Sequence, residues 1–163
     1  MRNFGSAVLG PKIGSGKQGD IYEFYLNGKK FIIKINNPVR GRAVPVNNER
    51  EVAIQQLAAS KGIAPKVLTY TKDYIVMEPV DGITVEQYLF EGGDIDLIID
   101  QIDKAVDKLH SVGIRHNDLL PSNIMITRKG NTFKIYIIDY GSSDYDPEFT
   151  DDDYEDDYFL GFI

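Results

Sequence analysis

At 163 residues the chain makes one compact unit or two small lobes sharing a cleft, and its 42% hydrophobic content is enough for a core. It has no cysteine, which excludes disulfides and thiolate metal sites, and no apolar run of about 18 residues that would span a bilayer. The net charge of −7 is uneven, since all 18 Lys and Arg precede position 135 while nine of the 25 acids fall between Asp144 and Asp157; the near-neutral body lacks the basic footprint of a nucleic-acid binder.

In chain order, Phe4 to Ile13 reads as a strand, followed by the loop Gly14-Ser15-Gly16-Lys17-Gln18-Gly19. Ile21 to Leu26 is a second strand and Lys30 to Ile35 a third. Asn27-Gly28 between them suits a two-residue hairpin turn, where both positions need positive φ. A glycine-rich loop between strands lets backbone N–H groups approach phosphates. Because it feeds a strand and not a helix, it reads as a hairpin lid over phosphates, not as a dinucleotide fold. Ile21 would then cover one face of an adenine. Lys34 is the only charge in Phe31-Ile32-Ile33-Lys34-Ile35. It is either an edge-strand lysine whose stem lies along the sheet or a phosphate-contacting cation paired with an acid.

A helix is expected from Asn48 to Ser60, with Ala53, Ile54, Leu57 and Ala58 on its apolar face and Gly62 as its stop. Glu51, one turn before that face, is the favoured partner of Lys34, and Glu49 is its rival. Val67 to Thr71 and Tyr74 to Met77 complete a five-stranded antiparallel sheet. The following Glu78-Pro79-Val80-Asp81-Gly82 is a hinge whose backbone, at Glu78 and Val80, can read an adenine edge. Thr84-Val85-Glu86-Gln87 is a capping-box pattern opening a short helix. Ile95, Ile98, Ile99, Ile102, Ala105, Val106 and Leu109 predict one long amphipathic helix ended by Gly113. The strands Ile124 to Thr127 and Phe133 to Asp139 bracket a Lys129-Gly130 turn.

The loop between that helix and that hairpin carries the chemistry. It holds His116-Asn117-Asp118 and, five residues past the Asp, Asn123; Asp139-Tyr140-Gly141 closes the last strand. One carboxylate, Asp118, can orient a hydroxyl. The Asn123 amide and the Asp139 carboxylate can hold Mg²⁺ on a nucleoside triphosphate, and Asp139, after Ile-Tyr-Ile-Ile, is expected to be semi-buried. His116 is read as structural and His110 as helix packing.

From Gly14 to Gly141 the chain resembles the protein-kinase-like superfamily: Gly-x-Gly-x-x-Gly-x-Ile, Lys34, Glu51, the hinge, His-x-Asp-x₄-Asn, and Asp-Tyr-Gly for the usual Asp-Phe-Gly. Arg50-Glu51-Val52-Ala53 and Gly62-Ile63-Ala64-Pro65-Lys66-Val67 are similar to compact atypical kinases, notably the small kinase of the KEOPS tRNA-modification complex. The Glu-to-Gly spacing of that group favours Glu51. The resemblance implies an α+β, bilobal protein-kinase-like fold, with residues 1–79 as a five-stranded antiparallel N-lobe and 80–163 as a strongly truncated helical C-lobe. It implies ATP with Mg²⁺ or Mn²⁺. Lys34 would bind the α- and β-phosphates, Asp118 would act as base or hydroxyl-orienting residue, and Asn123 and Asp139 would bind metal. Met77 would be the gatekeeper, Met125 would lie under the adenine, and Ile32 joins the nucleotide-binding set.

Three departures bear on the acceptor. Leu120 stands where most protein kinases have lysine, as in small-molecule kinases of the aminoglycoside and choline type. Asn117 replaces the usual Arg of His-Arg-Asp, which speaks against control by activation-loop phosphate pairing. Only 22 residues follow Gly141, with no Ala-Pro-Glu segment. Tyr154, Tyr158 and Phe162, four apart, fit one last packed helix with Asp156 bracing the catalytic loop; the alternative is a solvated acidic tail. The expected activity is that of a minimal Ser/Thr protein kinase, with a small-molecule kinase or a non-catalytic ATP-binding or ATPase partner module as alternatives. A protein substrate or activating protein partner is expected, without direct nucleic-acid or membrane binding. With no charged-then-apolar leader pattern at its start, the chain is expected to be intracellular and cytoplasmic.

Overall fold

The computed structural model describes residues 6–16, 18–37 and 47–149. Contacts group the chain into two units, one running to Ala53 and including Lys66–Pro79, the other taking Ile54–Pro65 and the chain from Val80. A cut at 79/80 differs from this division in leaving Ile54–Pro65 with the first unit.

The first unit is built on strands β1 (Ala7–Ser15), β2 (Gly19–Leu26), β3 (Lys29–Asn36), β4 (Val67–Tyr70) and β5 (Tyr74–Met77), with the start of helix α1 (Asn48–Ser60). The sheet order is β1-β2-β3-β5-β4, with every neighbouring pair antiparallel. Asn27 and Gly28 form the β2–β3 turn with φ of 52° and 79°, the conformation that the Asn-Gly pair tolerates. Alternation along β3 sends Phe31, Ile33 and Ile35 to one face, where they pack with Tyr22, Phe24, Tyr74 and Val76. Cross-strand register puts Ile21 opposite Lys34, Lys34 opposite Ile75, and Ile32 opposite Met77. Ile21, Ile32, Lys34 and Met77 therefore share the other face.

Helix α1 buries the face expected of it only in part, with Ile54 and Ala58 in the core. Ala53 is exposed and Leu57 half-buried, while Glu51, Ile54, Gln55 and Ala58 form the buried stripe at i, i+3, i+4 and i+7, joined by Val52. Its two polar members are satisfied: Glu51 by Lys34, and Gln55 by donating Nε2 to the Pro65 carbonyl at 2.9 Å. A stripe with partnered polar residues carries a weak apolar signal, which is why Ala53 looked like a core position.

The second unit packs the rest of α1 and the Ile63-Ala64 segment against helix α3 (Ile99–Ser111) and strands β8 (Ile124–Lys129) and β9 (Thr132–Ile137). The core is almost wholly aliphatic: Ile98, Ile102, Leu109, Ile114, Ile124 and Ile137 are fully buried, with Tyr140 beside them. Strand β6 (Ile83–Thr84) pairs with β8, giving the order β6-β8-β9. Thr84 caps helix α2 (Val85–Phe90) by accepting from the Gln87 N–H at 3.0 Å. The Gln87 side chain bonds Glu91 instead of returning to the cap, so half of the expected box forms.

The run from Ile95 is not one helix. Ile95–Leu97 is a 3₁₀ turn capped by the Asp94 side chain, and the chain breaks at Ile98, whose φ of −121° is not helical. Ile98 still enters the core, so its place in the apolar period does not register the break. Gly113, at φ 85°, ends α3 as expected, and a Cβ there would lie 2.4 Å from the Asp146 carbonyl oxygen. Two strands not expected from the sequence follow: β7 (Ile114–Arg115) pairs antiparallel with β10 (Asp144–Tyr145), at the start of the acidic stretch. The architecture is α+β, with the five-stranded antiparallel sheet in the N-terminal part. Among the described residues no helix is long and apolar enough to cross a membrane.

Candidate active site

The first unit carries the glycine-rich loop and the lysine. The loop joins β1 to β2, and its turn closes where the Gly16 N–H donates to the Gly19 carbonyl at 2.9 Å. A Cβ on Gly19 would lie 2.5 Å from the Ile35 carbonyl oxygen, so close approach of β2 to β3 requires glycine there. Gly14 and Gly16 have room for a Cβ, at 3.6 and 3.7 Å from the nearest atoms, so packing within the chain does not explain them. Ser15 is exposed at the end of β1. Gln18 is half-buried and its Oε1 has no hydrogen-bond partner among the described residues. Lys17 lies outside them.

Lys34 points from β3 to α1. Its Nζ donates to both carboxylate oxygens of Glu51, at 2.9 and 2.7 Å, with both residues buried. Glu49 is exposed in the same helical turn, so the choice between the two acids falls on Glu51. The pair is bidentate and shielded from water, the setting in which loss of one partner is most damaging. Met77 ends β5, and the Glu78 N–H donates to the Lys66 carbonyl at 2.9 Å. Of its two main-chain groups, Glu78 therefore has only the carbonyl to offer a ligand.

The second unit carries the loop from His116 to Asn123, between β7 and β8. His116 is fully buried, with its ring edge-on to Tyr140 at 5.2 Å between centroids. Its Nδ1 accepts from the Asp118 N–H at 3.1 Å, which assigns the proton to Nε2 for donation to the Ile138 carbonyl at 2.9 Å. The Ile138 N–H donates to the Asn123 carbonyl at 2.9 Å. Both main-chain groups of Ile138 are thus tied to the loop, one residue before Asp139. This clasp has no sequence signal, since Ile138 acts through its backbone alone.

Asn123 ends a 3₁₀ turn, Pro121–Asn123, and is itself buried. Its Nδ2 donates to the Asp118 carbonyl at 2.8 Å and to Asp118 Oδ2 at 3.1 Å. With the amide nitrogen committed to Asp118, Oδ1 is the atom that Asn123 presents to a ligand. Asp118 is half-buried. Asp139 departs from expectation, because it is exposed and not semi-buried. β9 stops at Ile137, and at φ 63° Asp139 turns out of the strand alternation; its Oδ1 accepts from the Gly141 N–H at 3.3 Å. Left-handed backbone at an Asp in a functional loop is a tolerated but uncommon state. Asn123 Oδ1 and the Asp139 carboxylate are hard oxygen donors of the kind that Mg²⁺ takes when phosphate oxygens and water complete its shell. Among the described residues no group of three or more His, Cys, Asp or Glu side chains is gathered for a fully protein-ligated metal.

Val80 opens the second unit, and its carbonyl accepts from the Gly82 N–H at 3.1 Å. Met125 is half-buried on β8 between Thr84 and Tyr136 in register. Leu120 is half-exposed beside Asp118. Asn117, which the sequence marks only as a missing Arg, is left-handed like Asp139, at φ 69°. Its Nδ2 donates to the Ser142 carbonyl at 3.0 Å and to Asp144 Oδ2 at 3.1 Å. The proposed packing of Tyr154, Tyr158 and Phe162 and the bracing by Asp156 fall outside the described residues.

The chain matches the protein kinase domain family over residues 8–151. It is 26% identical over 150 residues to a probable bifunctional tRNA threonylcarbamoyladenosine biosynthesis protein of Methanosarcina barkeri, an alignment taking in 86% of this chain and 26% of that protein. It is 37% identical over 76 residues to a probable serine/threonine-protein kinase PknB of Lactococcus lactis, covering 44% of this chain and 12% of that protein. The chain thus spans about a quarter or less of the length of these relatives. The chain belongs to the protein kinase domain family, whose chemistry is phosphoryl transfer.

Proposed function

We propose that this kinase-family chain transfers the γ-phosphoryl group of ATP, with Mg²⁺, to a Ser or Thr hydroxyl of a protein. The observation that carries the reading is the Asp118–Asn123 hydrogen bond, together with the tie of Asn123 to Ile138 and that of Asp118, through His116, to the same residue. It gives the loop one carboxylate set for a hydroxyl and one amide oxygen directed to a cation. In the step, the hydroxyl oxygen forms a bond to the γ-phosphorus as the bond to the β-phosphate oxygen breaks. Asp118 orients the hydroxyl and takes its proton, and ADP leaves. Lys34, held by Glu51, supports the α- and β-phosphates under the glycine-rich loop, and Gly14 and Gly16 leave that loop bare for phosphate. Ile21, Ile32, Met77, Val80 and Met125 supply apolar contact for the base, and the Glu78 carbonyl and Val80 N–H supply its polar edge. Asn123 and Asp139 would hold Mg²⁺, which when bound neutralises charge on the transferred phosphoryl group.

A small-molecule acceptor is the second reading. It is favoured by the half-exposed Leu120, which replaces a cation with an apolar side chain beside the acceptor position. The likeness to a tRNA threonylcarbamoyladenosine biosynthesis protein supports a role beside a partner in tRNA modification, in which ATP turnover and not a phosphorylated protein is the output. Incubation with γ-labelled ATP and Mg²⁺, alone and with host-cell lysate, separates these readings. Label in protein phosphoserine or phosphothreonine supports the first, label in a metabolite the second, and free phosphate alone the third. Absence of label in all three pools overturns the phosphotransferase proposal.

A further inference from the structure

The chain after Asp139-Tyr140-Gly141 is fastened to the loop that carries Asp118. β10 pairs with β7, with Asp144 opposite Arg115 and Tyr145 opposite Ile114. The Asp146 N–H donates to the Gly113 carbonyl at 2.9 Å, and Ser143 Oγ donates to the His116 carbonyl at 3.3 Å from a fully buried position. At the centre is Asn117, the residue immediately before Asp118. Its side-chain amide bridges two points of the segment, the Ser142 carbonyl and the Asp144 carboxylate. The bond to Asp144 is charge-assisted and therefore stronger than a neutral amide bond. Its backbone is left-handed, which Asn accepts more readily than most residues.

An Arg in this loop position can order the segment only once a phosphate is placed on it, because the new ion pair supplies the order. Here an uncharged amide makes the ties to the segment. Two of the segment's hydroxyl residues, Tyr140 and Ser143, are wholly buried and so are closed to modification.

We propose that Asn117 is a positioning residue: by clasping Ser142 and Asp144 it holds both the segment after Asp139 and the backbone of Asp118 in the transfer-competent arrangement. The proposal rests on the reading of Asp118 as the hydroxyl-orienting group, and goes beyond it in naming what keeps that group in place.

The test uses three variants of the full chain. N117G keeps the left-handed backbone and deletes the amide. N117D keeps the shape but sets a carboxylate against that of Asp144. N117D/D144N exchanges donor and acceptor across the pair. The readouts are amide exchange by mass spectrometry, and kcat and KM for MgATP with casein as acceptor. N117G is expected to speed exchange at residues 142–146 and at 118–123. It should lower kcat about tenfold with KM for ATP within about twofold, the effect of losing the two exposed amide bonds together. N117D should do more, and adding D144N should restore exchange protection toward the wild-type level. Wild-type exchange in N117G, or faster exchange confined to 142–146, overturns the proposal whether or not casein is phosphorylated. Unchanged kcat with altered exchange overturns it as well. D118N separates this failure from that of the underlying reading: if D118N transfers phosphate at the wild-type rate, the catalytic assignment falls; if D118N is inactive while N117G behaves as wild type, only the role of Asn117 falls.

Discussion

Removing Glu51 tests whether the Lys34 pair is a buried ion pair or a surface contact. Both oxygens of Glu51 lie within 2.9 Å of Lys34 Nζ, and the two side chains are 5% and 4% exposed. At that burial, deleting one partner strands a charge, which costs about 3–5 kcal/mol. An exposed pair would lose about 0–1 kcal/mol. For a chain of this size about 1 kcal/mol moves the melting temperature by roughly 2–4 °C, so E51A should melt at least about 6 °C lower. E49A, at an exposed position of the same turn, should melt within about 2 °C of wild type. The double variant K34M/E51L replaces both charges with apolar side chains of similar length and should recover most of the stability lost in E51A, while losing phosphate support and therefore turnover. Thermal and urea denaturation of the four proteins provides the comparison. If E51A and E49A lose the same small amount, the pair is not buried in solution. If the double variant is less stable than E51A by more than about 1 kcal/mol, the stranded-charge argument is wrong.

Three further outcomes follow from single sites. D139N should abolish most of the Mg²⁺-dependent rise in melting temperature that MgATP produces, because a ligand stabilises only through the state that binds it; an undiminished shift argues against Asp139 as metal ligand. G19A should destabilise the protein by about 1–3 kcal/mol, since its Cβ would sit 2.5 Å from the Ile35 carbonyl oxygen, whereas G16A has 3.7 Å and should change stability little; equal effects in urea melts would contradict this reading of the loop. Burial holds the Tyr140 phenol well above its ordinary value of 10.0, and its hydroxyl has no partner among the described residues. The unfolded chain loses that proton above about pH 10 while the folded chain keeps it, so the contribution is complete below pH 10 and declines as pH rises further. Y140F should therefore be at least as stable as wild type at pH 7 and lose less stability between pH 9 and 11, as read from urea midpoints.

Much of the first unit was legible because its signals are local. Asn27-Gly28 sets a hairpin by its own φ preferences, and alternation in Phe31 to Ile35 isolates Lys34 on the face opposite the apolar cluster. The buried stripe of α1 was legible only in part: Ile54 and Ala58 were expected in it, but Gln55 was not, because its partner, the Pro65 carbonyl, is fixed only in three dimensions. The break at Ile98 was hidden because a buried Ile serves the core in either conformation. The exposure of Asp139 was misjudged from its strand neighbours, since the left-handed turn that swings it out leaves no mark in an apolar pattern. β7 and β10 are two residues each, and β10 is exposed and acid-bearing, so neither carries a strand signature. Spacing marks Asp118, Asn123 and Asp139 as candidates, but the bonds around them, through the backbone of Ile138 and the side chains of His116 and Asn117, leave no mark in the sequence.

The most direct measurement sets nucleotide binding against transfer in D118N. Wild type and D118N are titrated with MgATP by thermal shift and then compared for transfer of labelled γ-phosphate to whichever acceptor the lysate experiment identifies. If Asp118 orients the hydroxyl, D118N should show a thermal shift close to wild type and a turnover lower by about 10²-fold or more, the usual contribution of a positioned acid–base group. Full turnover in D118N, or loss of the thermal shift in step with turnover, contradicts the catalytic assignment.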